Sequence, residues 1–290
     1  MTRRSSPLVQ LVDEARRPSR WWLAWLVVML IIVVVPPLGI AVGDAVLRAP
    51  ASTSPWYPYV GAFATSAIVV ALFGWVRFKE GRSFATVGFR LGRRWFRLLV
   101  GFGIGAVMVS AGVGLGLLLG VYGSGRSTHV LAGGDAALPL LPLALLCLVH
   151  AMAQSALTSG YLLQMSARQL PAWVAVLGTS ILVAALQTLN PLSLLNAFLF
   201  ATFAALVALQ QGSLWLVAGI QGGWTWFRTN VFGLSIGGIP APVALFSIGS
   251  VPGTSTTISG GQFGLETGLL ATPVLIAGTV LAYLALRRIT

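Results

Sequence analysis

The sequence predicts an all-α polytopic membrane protein with about eight transmembrane helices, and three observations predict it. Hydrophobic residues make up 57% of the chain and charged residues only 8%, against roughly 25% charged in soluble domains. The apolar residues fall in runs of about 20, the number that a helix rising 1.5 Å per residue needs to cross the hydrocarbon core. The basic residues gather in the short segments between those runs.

The first span is read at 22–42, interrupted by Pro36 and Pro37. It is too long for a cleaved signal peptide and lacks the right flanks, so it is expected to stay attached. The second span covers 59–76, the third 96–121, the fourth 137–165 and the fifth 172–189, where Pro191 breaks the helix. The sixth covers 192–209, the seventh 214–232, and the eighth 267–286 after a Gly, Ser, Thr and Pro-rich loop at 233–264. Three regions follow: a basic cytoplasmic segment at 1–20, expected to lie on headgroups or be disordered, two N-terminal helices at 21–82, and a core at 83–290.

Charge placement tests the count independently, because short cytoplasmic loops retain Arg and Lys. With both termini inside, fifteen of the eighteen basic residues are cytoplasmic, and only Arg48, Arg126 and Arg228 fall elsewhere. Basic residues outnumber acidic ones eighteen to six, and the partner of that charge is lipid headgroup rather than nucleic acid. The loop from Arg77 to Arg97 is expected to fix topology and touch anionic lipid. Trp21, Trp22, Trp56, Trp75, Trp95 and Trp173 lie near span ends, where amphipathic rings form an interfacial belt. Gly112, Gly116 and Gly120 recur every fourth residue, a spacing that lets helix backbones approach closely. With one cysteine, Cys147, and two histidines, His129 and His150, neither a disulfide framework nor a metal site of Cys and His alone can be built, and no cofactor is expected. The strong preference for Arg over Lys reads as a GC-rich genome and places the protein in a bacterial plasma membrane.

The fourth span carries the informative residues. On a 3.6-residue period His150, Gln154 and Thr158, with Ser155 and Ser159 beside them, form one stripe. Unsatisfied polar groups in hydrocarbon cost several kcal/mol each, so this stripe is expected to face other helices or a wet cavity. Gln187 and Thr188 in the fifth span and Gln221, Thr225 and Arg228 in the seventh supply further polar faces. Spacing alone leaves two readings open: a binding pocket, or hydrogen-bonded glue between helices at about 1 kcal/mol per bond. Arg228 is expected to snorkel to the headgroups or to meet an anionic peptide terminus or lipid head, and Glu266 to cap the last helix.

The order of these features resembles the CPBP family of intramembrane proteases, the CAAX prenyl protease type 2 and lysostaphin-resistance group. The stretch Gln154-Ser155-Ala156-Leu157-Thr158-Ser159-Gly160-Tyr161 stands where the family has two glutamates, three residues, then Arg-Gly and an aromatic; only Gly160 and Tyr161 match. Val183 to Gln187, followed by Asn190-Pro191, stands where the family has Phe, three residues and His. Gly212-Ser213-Leu214-Trp215 followed by Gln221 and Thr225 stands where the family has a helix entry, then His, three residues and Asn. The amphipathic lead-in at 84–94 and the Gly-rich approach at 260–266 look like the family's too, so the resemblance runs from about Ser83 to the C-terminus.

The resemblance implies a CAAX-protease-like bundle around an intramembrane cavity where a glutamate activates water and histidines assist. Gln154, Ser155, Ser159, Gln187, Gln221 and Thr225 hold those positions here. A carboxamide has no useful proton affinity near neutral pH, and losing a general base together with an oxyanion donor is expected to cost on the order of five decades of rate. A replacement serine nucleophile is disfavoured, since Ser155 lies about 140° and Ser159 about 180° around an ideal helix from His150. The leading expectation is a silent family member whose polar pocket, lined by His150, Gln154, Thr158, Gln187, Gln221, Thr225 and Arg228, holds a transmembrane segment, a lipid-linked molecule or a membrane partner. An active intramembrane endopeptidase is the alternative. A small-solute transporter is a third, weakened by the absence of an internal repeat.

Overall fold

In the computed structural model, the described residues are 6–47, 57–90, 92–125, 130–186, 190–235 and 237–287. The chain opens with α1 (Pro7–Gln10) and a 3-10 turn at Leu11–Glu14, then α2 (Trp21–Leu47), α3 (Tyr57–Ser66), α4 (Ile68–Gly74) and a π-helical turn at Trp75–Lys79. Next come α5 (Arg94–Leu118), short strands β1 (Tyr122–Ser124) and β2 (Leu131–Ala132), α6 (Ala137–Ser155), a π-helical segment at Ala156–Leu162, α7 (Leu163–Gln169), α8 (Ala172–Ala185) and α9 (Pro191–Gln211). The remainder is α10 (Trp215–Trp226) with a π-helical turn at Phe227–Val231, strands β3 (Val243–Ala244) and β4 (Ile248–Ser250), α11 (Thr256–Ser259) and α12 (Ala271–Arg287).

The molecule is an all-α multi-pass membrane protein. Among the described residues, five helical stretches, Trp21–Ala45, Tyr59–Lys79, Arg94–Leu118, Gly133–Gln169 and Pro191–Gln211, are by length and composition long and apolar enough to cross a bilayer. Ala172–Ala185 and Ala271–Arg287 are shorter apolar helices. Within the fifth expected span, read at 172–189, the described helix is Ala172–Ala185, fourteen residues that rise about 21 Å, and residues 187–189 of that reading lie outside the described residues.

Two expected interruptions behave differently. Helix α2 continues through Pro36 and Pro37, and the turn that follows packs closely on α3, where a Cβ added at Gly39 would run into Ala64. Pro191, by contrast, starts a helix: its fixed φ suits the first turn, and the Asn190 side chain accepts from the backbone N–H groups of Leu192 and Ser193.

The closest helix pair is α5 against α10. A Cβ at Gly101 or Gly105 would strike the backbone of Leu216 or Ile220, and one at Gly219 or Gly223 would strike that of Leu98 or Phe102. Small residues permit this approach. The expected glycine row is divided: Gly112 and Gly116 pack against side chains of the loop cap, Leu265, Leu270 and Tyr122, while Gly120 has φ +67° and ends the helix with open space around it. The loop at 233–264 is more ordered than its composition indicates. β4 pairs antiparallel with β1, and β3 pairs parallel with β2, making two small sheets at one end of the bundle. Tyr122 donates to the Ser259 carbonyl at 2.6 Å beneath them, and burial raises its phenol above the usual range, keeping it a donor.

At the opposite, basic end the N-terminal segment is part of the core from Ser6 onward. Leu8 and Val12 are fully buried, Ser6 donates to the Leu209 carbonyl, and Leu8 reaches the turn at Gly88 beside Leu214. Its acids pair outward, Asp13 with Arg168 and Glu14 with Arg90. The expected headgroup-bound or disordered tail is therefore a packed plug, because its apolar residues at 8, 9, 11 and 12 have a surface to cover.

The loop after α4 also differs from a simple basic patch. Arg82 donates from Nε to Glu80 at 2.8 Å, with both side chains fully buried. Glu80 also accepts from Ser19 Oγ (2.6 Å) and Tyr161 OH (3.0 Å), and Gln164 donates to the carbonyls of Thr86 and Val87. Trp75, expected in the interfacial belt, donates to Tyr161 OH at 2.7 Å instead. Trp21, Trp22, Trp95 and Trp173 are exposed, as an interfacial belt requires.

Candidate functional site

A cavity of about 260 Å³ opens inside the bundle. Its polar rim is Gln154, Thr158 and Ser159 from the fourth span, Gln221 from α10, Thr65 from α3 and Thr179 from α8. Ile32 and Pro36 of α2, Leu157, Val183 and Leu186, and Phe200, Ala201 and Ala204 of α9 supply the apolar wall.

The rim is assembled by a local change of helix pitch. An α-helix carries successive residues about 100° around its axis, which would turn Ser159 well away from Gln154. From Ala156 to Leu162 the chain is π-helical, so each turn takes more residues and the angular step shrinks. Gln154, Thr158 and Ser159 consequently line one cavity. Gly160 lies on the opposite side of this segment, where a Cβ would meet Leu214 and Val87, so glycine is what lets the widened turn sit against the basic-end loop.

The hydrogen bonds run in one direction. Ser155 Oγ donates to Gln221 Oε1 at 3.2 Å, and Gln221 Nε2 donates to Gln154 Oε1. Thr158 donates to the Gln154 backbone carbonyl, Thr65 to those of Gly61 and Ala62, and Thr179 to those of Ala175 and Val176. These hydroxyls are thus spent on their own helices. The Gln154 amide nitrogen and the Ser159 hydroxyl donate to nothing among the described residues, although Ser159 is only 6% exposed. Among the described residues, no Asp, Glu, His, Lys or Arg lines the cavity.

The other expected site residues lie elsewhere. His150 is turned to α3, with Nδ1 2.8 Å from Thr65 Oγ1 and 3.2 Å from the Ala62 carbonyl; a carbonyl only accepts, so Nδ1 carries the proton. His150 therefore touches a wall residue, Thr65, without lining the cavity. Thr225 is one turn beyond Gln221, outside the cavity, with its carbonyl accepting from Thr229. Gln187 lies outside the described residues.

Arg228 does not snorkel. It is 5% exposed and pairs through NH1 with Glu266, which also accepts from Trp224 Nε1 at 2.7 Å. Glu266 is thereby a partner of the seventh helix rather than a cap on the eighth. This cluster continues through Asn196, which donates to the carbonyls of Glu266 and Gly268, and binds the Gly-rich approach to α9.

Sequence reasoning missed the contribution of the two N-terminal helices to the wall. Thr65, with Ser66 beside it, is the polar interruption in the second span that marks it.

Fold and site together define a multi-pass membrane protein with a neutral polar cavity held inside its helical bundle. Residues 136–227, from the start of α6 to just past α10, match the model of the family described as type II CAAX prenyl endopeptidase Rce1-like. Over that stretch the chain is similar to the CPBP/CAAX protease family. No curated protein and no solved structure matches the chain.

Proposed function

We propose that this chain is a catalytically silent member of the family, set in a bacterial plasma membrane with both termini cytoplasmic, and that it uses the cavity to hold a membrane-borne ligand, segment or partner. The observation that carries the reading is the carboxamide pair: where the family resemblance calls for an acid and an imidazole, Gln221 donates to Gln154, and neither side chain can take a proton from water near neutral pH. The cavity persists without them, which supports binding over mere loss.

An active peptidase draws one supporting observation, the uncommitted Ser159 hydroxyl at the rim. That hydroxyl lacks a base, because the His150 ring is held by Thr65 and Ala62 on the neighbouring helix. The deciding assay incubates the reconstituted protein with fluorogenic prenylated and unmodified membrane peptides. The expected result is no cleavage above the protein-free rate, together with a membrane component that co-purifies with wild type and is lost from Ala204→Trp. Cleavage abolished by Ser159→Ala or Gln154→Ala would overturn the silent reading.

A further inference from the structure

The uncommitted groups of the cavity specify what it accepts. Two side-chain donors point at it without a partner, the Gln154 amide nitrogen and the Ser159 hydroxyl, the latter on a residue more than nine-tenths buried. Both groups are open to the cavity, and a donor cut off from solvent without a partner costs about 1–3 kcal/mol, so an occupant that displaces water from them has to bring acceptors. It also has to be uncharged, since no ionisable side chain among the described residues lines the wall and an unpaired charge in this setting is strongly disfavoured.

Size and depth narrow the class. At about 260 Å³ the space is too small for a helix, whose diameter with side chains is about 10–12 Å, and an extended peptide brings an N–H for each carbonyl. Ile32 lies about twelve residues, or about 18 Å, along α2 from Arg20, beyond the roughly 15 Å half-thickness of the hydrocarbon core. A phospholipid would have to draw its charged head toward that depth. A neutral head has no such restraint.

Entry is available from the side. α2 and α8 both contribute wall residues, yet they approach mainly at their basic ends, where the Trp25 ring covers Gly178 and donates to Ser166 at 3.0 Å. Farther along, Leu186 belongs to the cavity wall and is 47% exposed, so the cavity is not sealed at that point.

We propose that the cavity binds the head of a membrane quinone, a flat, neutral ring with carbonyl acceptors on an isoprenoid chain, entering between α2 and α8. Ser159 and Gln154 donate to its carbonyl oxygens, Phe200 and Leu157 flank the ring, and the chain leaves past Pro36 and Leu186. The inference deepens the reading of the cavity as a binding site and rests on it.

The test is a titration of decylubiquinone into nanodiscs of phosphatidylcholine carrying the full chain, followed by quenching of tryptophan fluorescence. Saturable one-site quenching is expected, with Kd raised about three- to tenfold by Ser159→Ala, which removes one hydrogen bond, and at least as much by Gln154→Leu, which also takes away the acceptor of Gln221. Ala204→Trp should abolish saturable binding, while Leu30→Phe on the lipid-facing side should leave Kd unchanged. Should Ala204→Trp fail to fold, the two donor variants still decide the matter. Quenching that ignores all the cavity variants overturns the proposal, as does dioctanoylglycerol binding with the same variant dependence while the quinone does not bind. A membrane peptide that binds in an Ala204-sensitive way without any quinone response would remove the quinone and leave the binding reading standing.

Discussion

Gln221 donates its side-chain amide to the carbonyl oxygen of Gln154 across the interior of the bundle. The two residues are 67 positions apart, on α10 and at the end of α6, and their contact joins the two helices at the mouth of the cavity. Ser155 completes the chain of donors by reaching Gln221 from behind.

Placing an acid in that chain is the direct probe of its neutrality. Gln154→Glu puts an ionisable carboxyl into a wall that holds no charged side chain among the described residues, and burying a charge without a partner is costly. The variant should therefore be less stable than wild type by about 1–3 kcal/mol at neutral pH. Thermal unfolding in detergent measures it, and an unchanged unfolding temperature would show a wet, charge-tolerant site.

The buried pair Glu80 and Arg82 should behave as a unit. Removing one partner leaves the other charge buried, and Glu80→Ala is expected to cost about 3–5 kcal/mol. The double variant Glu80→Leu with Arg82→Met should cost less than Glu80→Ala alone. Chemical denaturation of the three proteins tests the ordering.

The Arg228 and Glu266 pair should be lopsided. Arg228 is 6% exposed at its side chain and Glu266 is 40% exposed, so Arg228→Met leaves a carboxylate that water can reach, whereas Glu266→Gln strands a buried guanidinium. Glu266→Gln is therefore expected to lower the unfolding temperature more than Arg228→Met. The reverse order would show that the guanidinium has another partner.

The glycine seam gives a paired test within one helix. Gly105→Ala forces a Cβ into the Ile220 carbonyl, while nothing lies within 4 Å of a Cβ at Gly103. Gly105→Ala should lose several kcal/mol or fail to accumulate, and Gly103→Ala should gain a few tenths from helix propensity. Expression level and melting temperature of the two variants report the contrast.

Much of this molecule was legible because hydrophobic run length and basic loops are strong one-dimensional signals. Pro191 read correctly as a boundary, since proline at a first turn has a local cause. The cavity was half legible: Gln154, Thr158, Ser159 and Gln221 all read as polar positions on the helices that line it, but a constant 100° step cannot anticipate the π-helical segment at Ala156–Leu162 that turns Ser159 to the same side as Gln154. His150 read as part of the stripe, yet its ring is claimed by Thr65, and only packing of α3 on α6 decides that. Glu80 and Arg82 looked like loop charges because burial depends on Ser19, Tyr161 and Gln164, each distant in sequence. The plug at Leu8 and Val12 carried a readable apolar spacing that basic composition at its flanks obscured.

The cavity wall is shared between α2, among the first helices to leave the ribosome, and α9 and α10, among the last. Until those later helices arrive, Gln154 has no Gln221 to accept from, and the polar groups on the fourth span stand open to lipid or to whatever chaperones a nascent membrane chain. Biogenesis of this protein therefore passes through a stage whose exposed polarity disappears only when its two ends meet.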